Sequence, residues 1–204
     1  QVVIVRSSSM VAETRRYLAR GGVPLAGGGR AFDFASQSTT RLLLDLVTVP
    51  TGESDTDVAL RRELAERLLP SALVGADALA VHRLLRRLNA ARALAAEEAG
   101  DEIAPIPLTV ADLVDDPETW RATLEKGAEV PGRRGWNDRS LARALTKAAS
   151  MWEIAASGGE RPQERLWALW EACGVGEDWR DRAIASDEAS AWFDDQLDAV
   201  VALL

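Results

Sequence analysis

The sequence predicts a mainly helical protein that begins with a small, partial α/β unit. The first observation behind this fold class is the apolar, β-branched run at residues 2–5, which is typical of a buried strand. The second is a helical pattern at residues 10–18, followed by Gly21, Gly22 and a short apolar stretch at residues 23–25 that predicts a second strand. The third is that the rest of the chain shows helical periodicity almost without interruption. The chain therefore offers a strand–helix–strand unit but hardly any further strand to complete a sheet.

The turn-forming residues 50–55, Pro-Thr-Gly-Glu-Ser-Asp, mark a boundary between the two parts. We predict a partial α/β unit at residues 1–49 and a helical subdomain of about six or seven helices at residues 50–204. Because the chain starts with Gln1, one residue ahead of a predicted strand, we expect it to be an excised piece of a longer protein.

Two leucine-rich helices flank this boundary. A glycine-rich loop at residues 26–37 leads into the first helix, which Ser36 or Ser38 caps and which runs to about Val47. In the second helix, leucine recurs at every fourth residue until Pro70 ends the helix.

The next helix carries arginines beside its apolar stripe. Asp77 is its predicted N-cap, and the helix extends over residues 78–98. Its apolar residues recur with a helical period on one face, which places Arg83, Arg86 and Arg87 on another face.

Short elements follow this helix. Two prolines keep residues 103–108 extended. Thr109 and Asp112 match a capping box and predict a short helix. A break at residues 115–117 separates it from a second short helix, which contains Trp120.

Longer helices complete the chain. Residues 126–137 are predicted to form a loop, and Asp138 is predicted to start a long helix that Gly158 and Gly159 end. Pro162 suits the first position of the next helix, and the last segment carries an apolar stripe to the C-terminus.

The charge balance argues against a dedicated nucleic-acid-binding protein. The chain has 32 acidic and 24 basic residues, a net charge of −8. The basic residues are strongly biased towards arginine, since Lys126 and Lys147 are the two lysines. Solvated helix faces are the simpler interpretation of the local arginine clusters, and contact with phosphate is the alternative. The clusters are Arg15/Arg16/Arg20, Arg61/Arg62, Arg83/Arg86/Arg87/Arg92 and Arg133/Arg134.

Most catalytic and metal-binding chemistry is excluded by residue counts. His82 and Cys173 are the single histidine and the single cysteine, so neither a histidine-based nor a thiolate zinc site can be assembled. Cys173 lies on an apolar helical pattern, which favours a buried, inert thiol over a catalytic one. The sequence has no phosphate-binding loop of the G-x-x-x-x-G-K-[ST] type, no apolar run that could span a membrane and no basic leader. We expect a cytoplasmic protein, and no cofactor or metal bound by this chain itself.

The placement of the seven tryptophans is informative. Trp152 and Trp170 lie on apolar stripes and are expected in the core. Trp136 follows Arg133-Arg134-Gly135, where it could stack on a base beside a phosphate contact. Structural packing is the alternative interpretation of this residue.

The order of elements in residues 1–49 resembles the second motor subdomain, 2A, of superfamily 1 DNA helicases of the UvrD/Rep type. Arg6 falls on the arginine that ends the family's strand, and Ser7-Ser8 on the polar pair after it. The stretch from Gly22 to Gln37, GVPLAGGGRAFDFASQ, is similar to the family's turn, glycine–aromatic segment and helix start. A helical subdomain, 2B, follows that helix in the family, and residues 50–204 have the length and pattern expected for it.

The entry to this helical part is similar to the segment that holds duplex phosphate in the family. Pro70, Val74 and Gly75 match its pattern, whereas Ala72 and Leu73 replace an arginine and a glycine. The overall pattern is most similar to the actinobacterial helicase–nuclease motor subunits. The resemblance implies a non-catalytic, DNA-facing piece of an ATP-dependent 3′–5′ helicase or translocase that acts in DNA repair or end processing. It also implies that the sites for ATP and Mg²⁺ lie in other parts of the parent protein, so this piece alone should not hydrolyse ATP.

The implied partners are DNA at a junction of single strand and duplex, the other motor domains and, in a helicase–nuclease assembly, a partner subunit; no membrane is expected. Free amides at residues 77–79, together with the arginines of helix 78–98, would form the phosphate-facing surface. The alternative is a self-contained helical adaptor that binds another protein through an apolar face. The residues expected to contact DNA are Arg6, Ser7, Ser8, Gly75, Asp77, Arg83, Arg86, Arg87, Arg133, Arg134 and Trp136.

Overall fold

The computed structural model describes residues 3, 8–23, 37–50, 52, 54–100, 103–129, 132–157, 161–185 and 189–204. Within these ranges the chain forms ten α-helices and no strand. This confirms the mainly helical fold class. In chain order the helices are α1 (Ser8–Arg20), α2 (Ser38–Val47), α3 (Asp55–Leu68), α4 (Ala78–Ala99), α5 (Val110–Asp115), α6 (Glu118–Ala128), α7 (Arg133–Ala156), α8 (Pro162–Cys173), α9 (Gly176–Ile184) and α10 (Ser190–Leu203).

The predicted strand–helix–strand unit is not seen in the described residues. Its helix is present as α1 and ends before Gly22, which has a φ of 71°. Val3 and Val23 belong to the two predicted strands, and neither forms one; the remaining strand residues lie outside the described ranges. A strand needs a partner for its backbone N–H and C=O groups, and the described residues supply no such neighbour.

The chain divides into two compact units, Gln1–Phe32 and Asp33–Leu204. The first unit contains α1 and the second contains α2 to α10. Helix α2 belongs to the larger unit because Leu43 and Leu46 are fully buried there and α2 packs on α3, α8 and α10. The division between compact units therefore falls earlier in the chain than the subdomain boundary predicted at residues 50–55.

Polar contacts reinforce the packing of α2. The Gln196 Nε2 group of α10 donates to Gln37 Oε1 at 2.6 Å, directly before α2. At the other end, the Arg165 guanidinium of α8 donates to the Val47 carbonyl at 3.0 Å. The N-cap of α2 is Gln37, whose side chain does not cap the helix, so the predicted cap at Ser38 is wrong and Ser36 lies outside the described residues.

Helix α7 is the centre of the larger unit, since it packs on α2, α4, α5, α6 and α8. Its buried side chains include Leu145 and Met151, which join a single apolar core with Leu84 of α4 and Trp120 of α6. The Trp120 indole is 1% exposed, and its N–H donates to the Leu113 carbonyl at 2.7 Å. None of the described helices is both long enough and apolar enough to cross a lipid bilayer.

Several predicted helix ends are confirmed. The Asp77 side chain caps α4, and α4 gives way to Gly100 at a φ of 77°, a conformation that glycine tolerates. Thr109 and Asp112 form the predicted capping box of α5. Pro162 occupies the first turn of α8. Each of these ends depends on residues next to it in sequence, which explains why the sequence alone identifies it.

The loop predicted at residues 126–137 is shorter in the structure. Helix α6 continues to Ala128, and α7 already begins at Arg133. Gly132, at a φ of 88°, makes the turn between them, and Gly135 is then accommodated as a buried helical residue. The prediction that Asp138 starts the long helix is therefore wrong: Asp138 lies in the second turn of α7 and is buried.

The described residues from 50 onwards contain eight helices, one more than the predicted six or seven. The additional helix is α9, which follows Gly174 at a φ of 58°. Trp179 is its buried residue, and its ring makes edge contacts with Trp170 and Trp192. One buried residue gives no apolar stripe, so a periodicity argument had no signal for this helix.

Candidate nucleic-acid interface

An arginine-lined groove lies between the first half of α4 and the start of α7, with a volume of about 1090 Å³. We call it the α4–α7 groove. It brings together six of the residues predicted from the sequence to contact DNA. These are Asp77, Arg83, Arg86, Arg87, Arg134 and Trp136.

One wall of the groove is formed by α4. Arg83 and Arg86 are exposed and lie three residues apart, which places both on one face about 4.5 Å apart along the helix axis. The apolar positions Val81, Leu84 and Leu88 are buried on the opposite face. The helical period therefore turns these two guanidinium groups towards solvent.

The other wall is formed by the first turn of α7. Arg134 is exposed there, and the Trp136 side chain is 61% exposed. Both residues lie on the surface of α7 because this helix begins at Arg133 and not at Asp138 as predicted. In the predicted loop they would not be fixed on a helix surface. Arg133 is the first residue of α7, and its side chain lies outside what the structure describes.

The floor of the groove contains an ion pair between α4 and α7. The Arg87 guanidinium donates to both carboxylate oxygens of Asp138, at 3.3 and 3.4 Å. The Asp138 side chain is 10% exposed and that of Arg87 34% exposed. The Asp138 carboxylate also lies against Gly127 of α6. Arg87 is therefore paired with a carboxylate and held in place, and its predicted contact with DNA stays a prediction.

The sequence predicted that the amides at the start of α4 are free, but one of these amides makes a hydrogen bond in the structure. The Asp77 carboxylate accepts a hydrogen bond from the Leu79 N–H at 3.0 Å. A carboxylate at this position satisfies the helix end and repels a phosphate. Anion binding in the groove must therefore depend on the arginine side chains rather than on the end of α4.

Gly75 lies next to the groove. It has a φ of 73°, and it lines a smaller cavity of about 280 Å³ that shares Asp77 and Trp136 with the α4–α7 groove. The turn before α4 is fixed to α7, because Lys147 donates to the Leu73 carbonyl at 3.2 Å. Gly75 thus lies in the turn that leads into α4 and lines the same small cavity as Trp136.

The predicted contacts in the first unit are described only in part. Arg6 and Ser7 lie outside the described residues. Ser8 is the first residue of α1, and its side chain lies outside the described part of the structure.

The electrostatic balance of the groove differs from that of the chain. Four arginines and two aspartates line it, whereas the whole protein carries a net charge of −8. Because Arg87 is paired with Asp138, the arginines of the groove that have no ion-pair partner among the described residues are Arg83, Arg86 and Arg134. We call these three residues the exposed arginines.

The single cysteine and the single histidine occupy different environments. Cys173 is fully buried, and its S–H donates to the Trp170 carbonyl at 2.9 Å. Burial raises the pKa of this thiol above its ordinary value, which disfavours the reactive thiolate. His82 is exposed on α4. The environment of Cys173 agrees with the prediction of a buried, inert thiol.

Of the tryptophans predicted in the core, Trp152 is buried and Trp170 is half-buried against the core.

Five residues that line the groove were not predicted from the sequence as DNA contacts: Leu79, Ala80, Ala90, Asn137 and Asp138. Leu79 is 53% exposed, and its place two residues after the predicted N-cap was the available signal. Asp138 and Arg87 are 51 positions apart in sequence, so nothing local indicates their pairing.

We compared the chain with family models, curated proteins and solved structures. No family model matches the chain, and neither a curated protein nor a solved structure is significantly similar to it. The helicase resemblance therefore rests on the sequence motifs alone.

Proposed function

We propose that this chain is the DNA-facing, non-catalytic part of a superfamily 1 helicase of the UvrD/Rep type, and that the α4–α7 groove contacts the nucleic-acid backbone. The observation that carries the proposal is the convergence of Arg83, Arg86 and Arg134 from two helices of an acidic chain. Scattered basic residues are expected on any soluble surface, but a basic groove on a protein of opposite net charge concentrates positive potential where an anion can bind.

The groove suits the nucleic-acid backbone better than a single carboxylate ligand. Its three exposed arginines are distributed over two walls, so a ligand must present several anionic groups along its length to meet them. Guanidinium groups donate in a planar fork that matches phosphate oxygens. Under this proposal the chemistry of ATP hydrolysis belongs to other parts of the parent helicase, and the groove orients the DNA.

The proposal is tested with fluorescently labelled forked DNA and two double variants of the same charge change. In Arg83→Glu/Arg86→Glu the groove loses two of its exposed arginines. In the control, Arg62→Glu/Arg143→Glu, two exposed arginines outside the groove are replaced. Fluorescence anisotropy is measured between 50 and 200 mM salt for each protein.

Three phosphate contacts predict a slope of log K against log salt of about −2.1 for a single strand and about −2.7 for a duplex, which weakens binding about 20- to 40-fold across this salt range. The groove variant is expected to bind weakly and to lose about 2 from the magnitude of the slope, whereas the control retains most of the affinity and the slope. Equal binding by the two double variants would overturn the groove assignment. If the unaltered chain does not bind forked DNA, the proposal itself is wrong.

That last outcome would favour the helical adaptor. The extended segment before α5 exposes Ile103 and Ile106, which are 84% and 85% exposed. Asn89 holds this segment on α4, since it accepts from the Leu108 N–H at 2.7 Å and donates to the Leu108 carbonyl at 3.2 Å. Apolar side chains presented on a fixed, extended segment are a surface that another protein could bind.

A further inference from the structure

Trp136 is the feature of the groove that phosphate binding leaves unexplained. Its side chain is 61% exposed, and it stands beside Arg134 at the start of α7. Among the described residues, Trp120 is buried with a hydrogen-bonded indole, and Trp179 is enclosed by other aromatic rings. No aromatic ring of the described residues contacts Trp136. Its indole therefore borders a charged groove with room for a planar partner.

Resting on the proposed function, we propose that the α4–α7 groove binds an unpaired nucleotide, whose base stacks on Trp136 while the adjoining phosphates contact Arg83, Arg86 and Arg134. Arginines on a backbone do not distinguish single strands from duplex. An aromatic side chain does, because a base inside a duplex has both faces covered by its neighbours, whereas an unpaired base has a free face. The groove thus selects the single-stranded arm of a junction.

The dimensions of the site agree with this ligand. A volume of about 1090 Å³ lies just above the range for small-molecule sites, roughly 300–1000 Å³, so the groove accommodates a base together with its sugar and phosphates. The neighbouring cavity, at about 280 Å³, is too small for all three parts. Leu79, 53% exposed on the α4 wall, adds an apolar surface for the edge of the base or sugar.

The experiment compares three substitutions of exposed residues. Trp136→Leu removes the ring, Trp136→Phe keeps an aromatic face, and Trp167→Leu is the matched control. Trp167 is 51% exposed on α8 and does not line the groove. Anisotropy is measured with a labelled thymidine strand, the same strand in a duplex, an abasic strand of equal length and an RNA strand of uridines. Circular dichroism and thermal unfolding confirm that each variant is folded.

Stacking of one base on an aromatic side chain predicts that Trp136→Leu weakens binding of the thymidine strand about 5- to 150-fold. Trp136→Phe should retain most of the affinity, and Trp167→Leu should behave as the unaltered chain. The duplex and the abasic strand should bind weakly and show no effect of Trp136→Leu, since neither offers an unpaired base.

The failures of the two proposals are distinguishable. If duplex and single strand bind equally through the arginines and Trp136→Leu changes neither, the stacking proposal is wrong and the backbone contact remains. If Trp136→Leu weakens binding to every ligand equally, Trp136 acts through packing and the stacking proposal is again wrong. Binding of the RNA strand in preference to DNA would overturn DNA as the ligand, and absence of binding to all four ligands overturns both proposals.

Discussion

Replacing Gly127 by alanine is expected to destabilise the protein, although alanine is the better helix former. Gly127 is buried near the end of α6. A Cβ placed on it would overlap the Asp138 carboxylate, coming within 2.9 Å of Cγ and 3.4 Å of the Asp138 Cβ. The carboxylate cannot simply swing away, because Asp138 has a short side chain that is buried and held by Arg87.

The expected magnitude follows from two opposing effects. Alanine in place of glycine favours the helix by about 1 kcal/mol. Displacing the carboxylate weakens both hydrogen bonds from Arg87. This loss is about 1–2 kcal/mol, because Arg87 is 34% exposed. Overpacking by the added methyl group costs roughly a further 1–3 kcal/mol. The net loss in the free energy of unfolding is about 1–4 kcal/mol. For a chain of this size each kcal/mol lowers Tm by about 2–4 °C.

Urea unfolding followed by circular dichroism measures this loss. The matched variants are Gly127→Ala, Asp138→Ala and the double variant. Without the carboxylate the new methyl group has room, so in the Asp138→Ala background Gly127→Ala should be neutral or stabilising by up to about 1 kcal/mol. A Gly127→Ala variant at least as stable as the unaltered chain would refute the steric argument and the position of Asp138.

Three further predictions concern the core. Trp120→Phe should lower the free energy of unfolding by about 2–4 kcal/mol, because it leaves a void and removes the indole donor to the Leu113 carbonyl. A loss below about 1 kcal/mol, measured by urea unfolding, would contradict that contact. Cys173 should resist thiol reagents at neutral pH until the protein unfolds, and rapid labelling of the folded chain would contradict its burial. Burial raises the pKa of the folded thiol above 9.0, whereas the unfolded thiol ionises near that value. The free energy of unfolding should therefore fall as the pH rises above about 9, and it should fall less in the Cys173→Ala variant.

Helix boundaries set by neighbouring residues were predictable, and boundaries set by packing were not. The cap at Asp77, the capping box at Thr109 and the proline at Pro162 are local signals, and the structure has all three. The start of α7 was missed because glycine and proline around residue 132 suggested a longer loop. Burial of Gly135 in a helix depends on neighbours that are distant in sequence.

The candidate site was predictable as a set of residues but not as a geometry. Helical periodicity placed Arg83 and Arg86 on one exposed face, and it did not show that Arg134 and Trp136 lie across a groove from them. The pairing of Arg87 with Asp138 joins residues in different helices, so no pattern in either helix indicates it. The strand unit is not seen among the described residues, and the helicase resemblance in the first 49 residues stays a prediction, because most residues that carry it lie outside the described ranges.

The Arg87–Asp138 pair connects the stability of the fold to the groove. Helix α4 packs on α6 and α7, and the ion pair links α4 to α7 at the floor of the groove. The pair therefore fixes the distance between the wall that carries Arg83 and Arg86 and the wall that carries Trp136. It also limits the charge available to a ligand. Three exposed arginines predict a salt slope of about −2 for a single strand, whereas four would predict about −3. On a single strand, a measured slope near −3 would indicate a fourth contact. If that contact were Arg87, the Asp138 carboxylate would be left buried without its partner, which makes binding costly. The lower slope is therefore the one that the folded groove predicts.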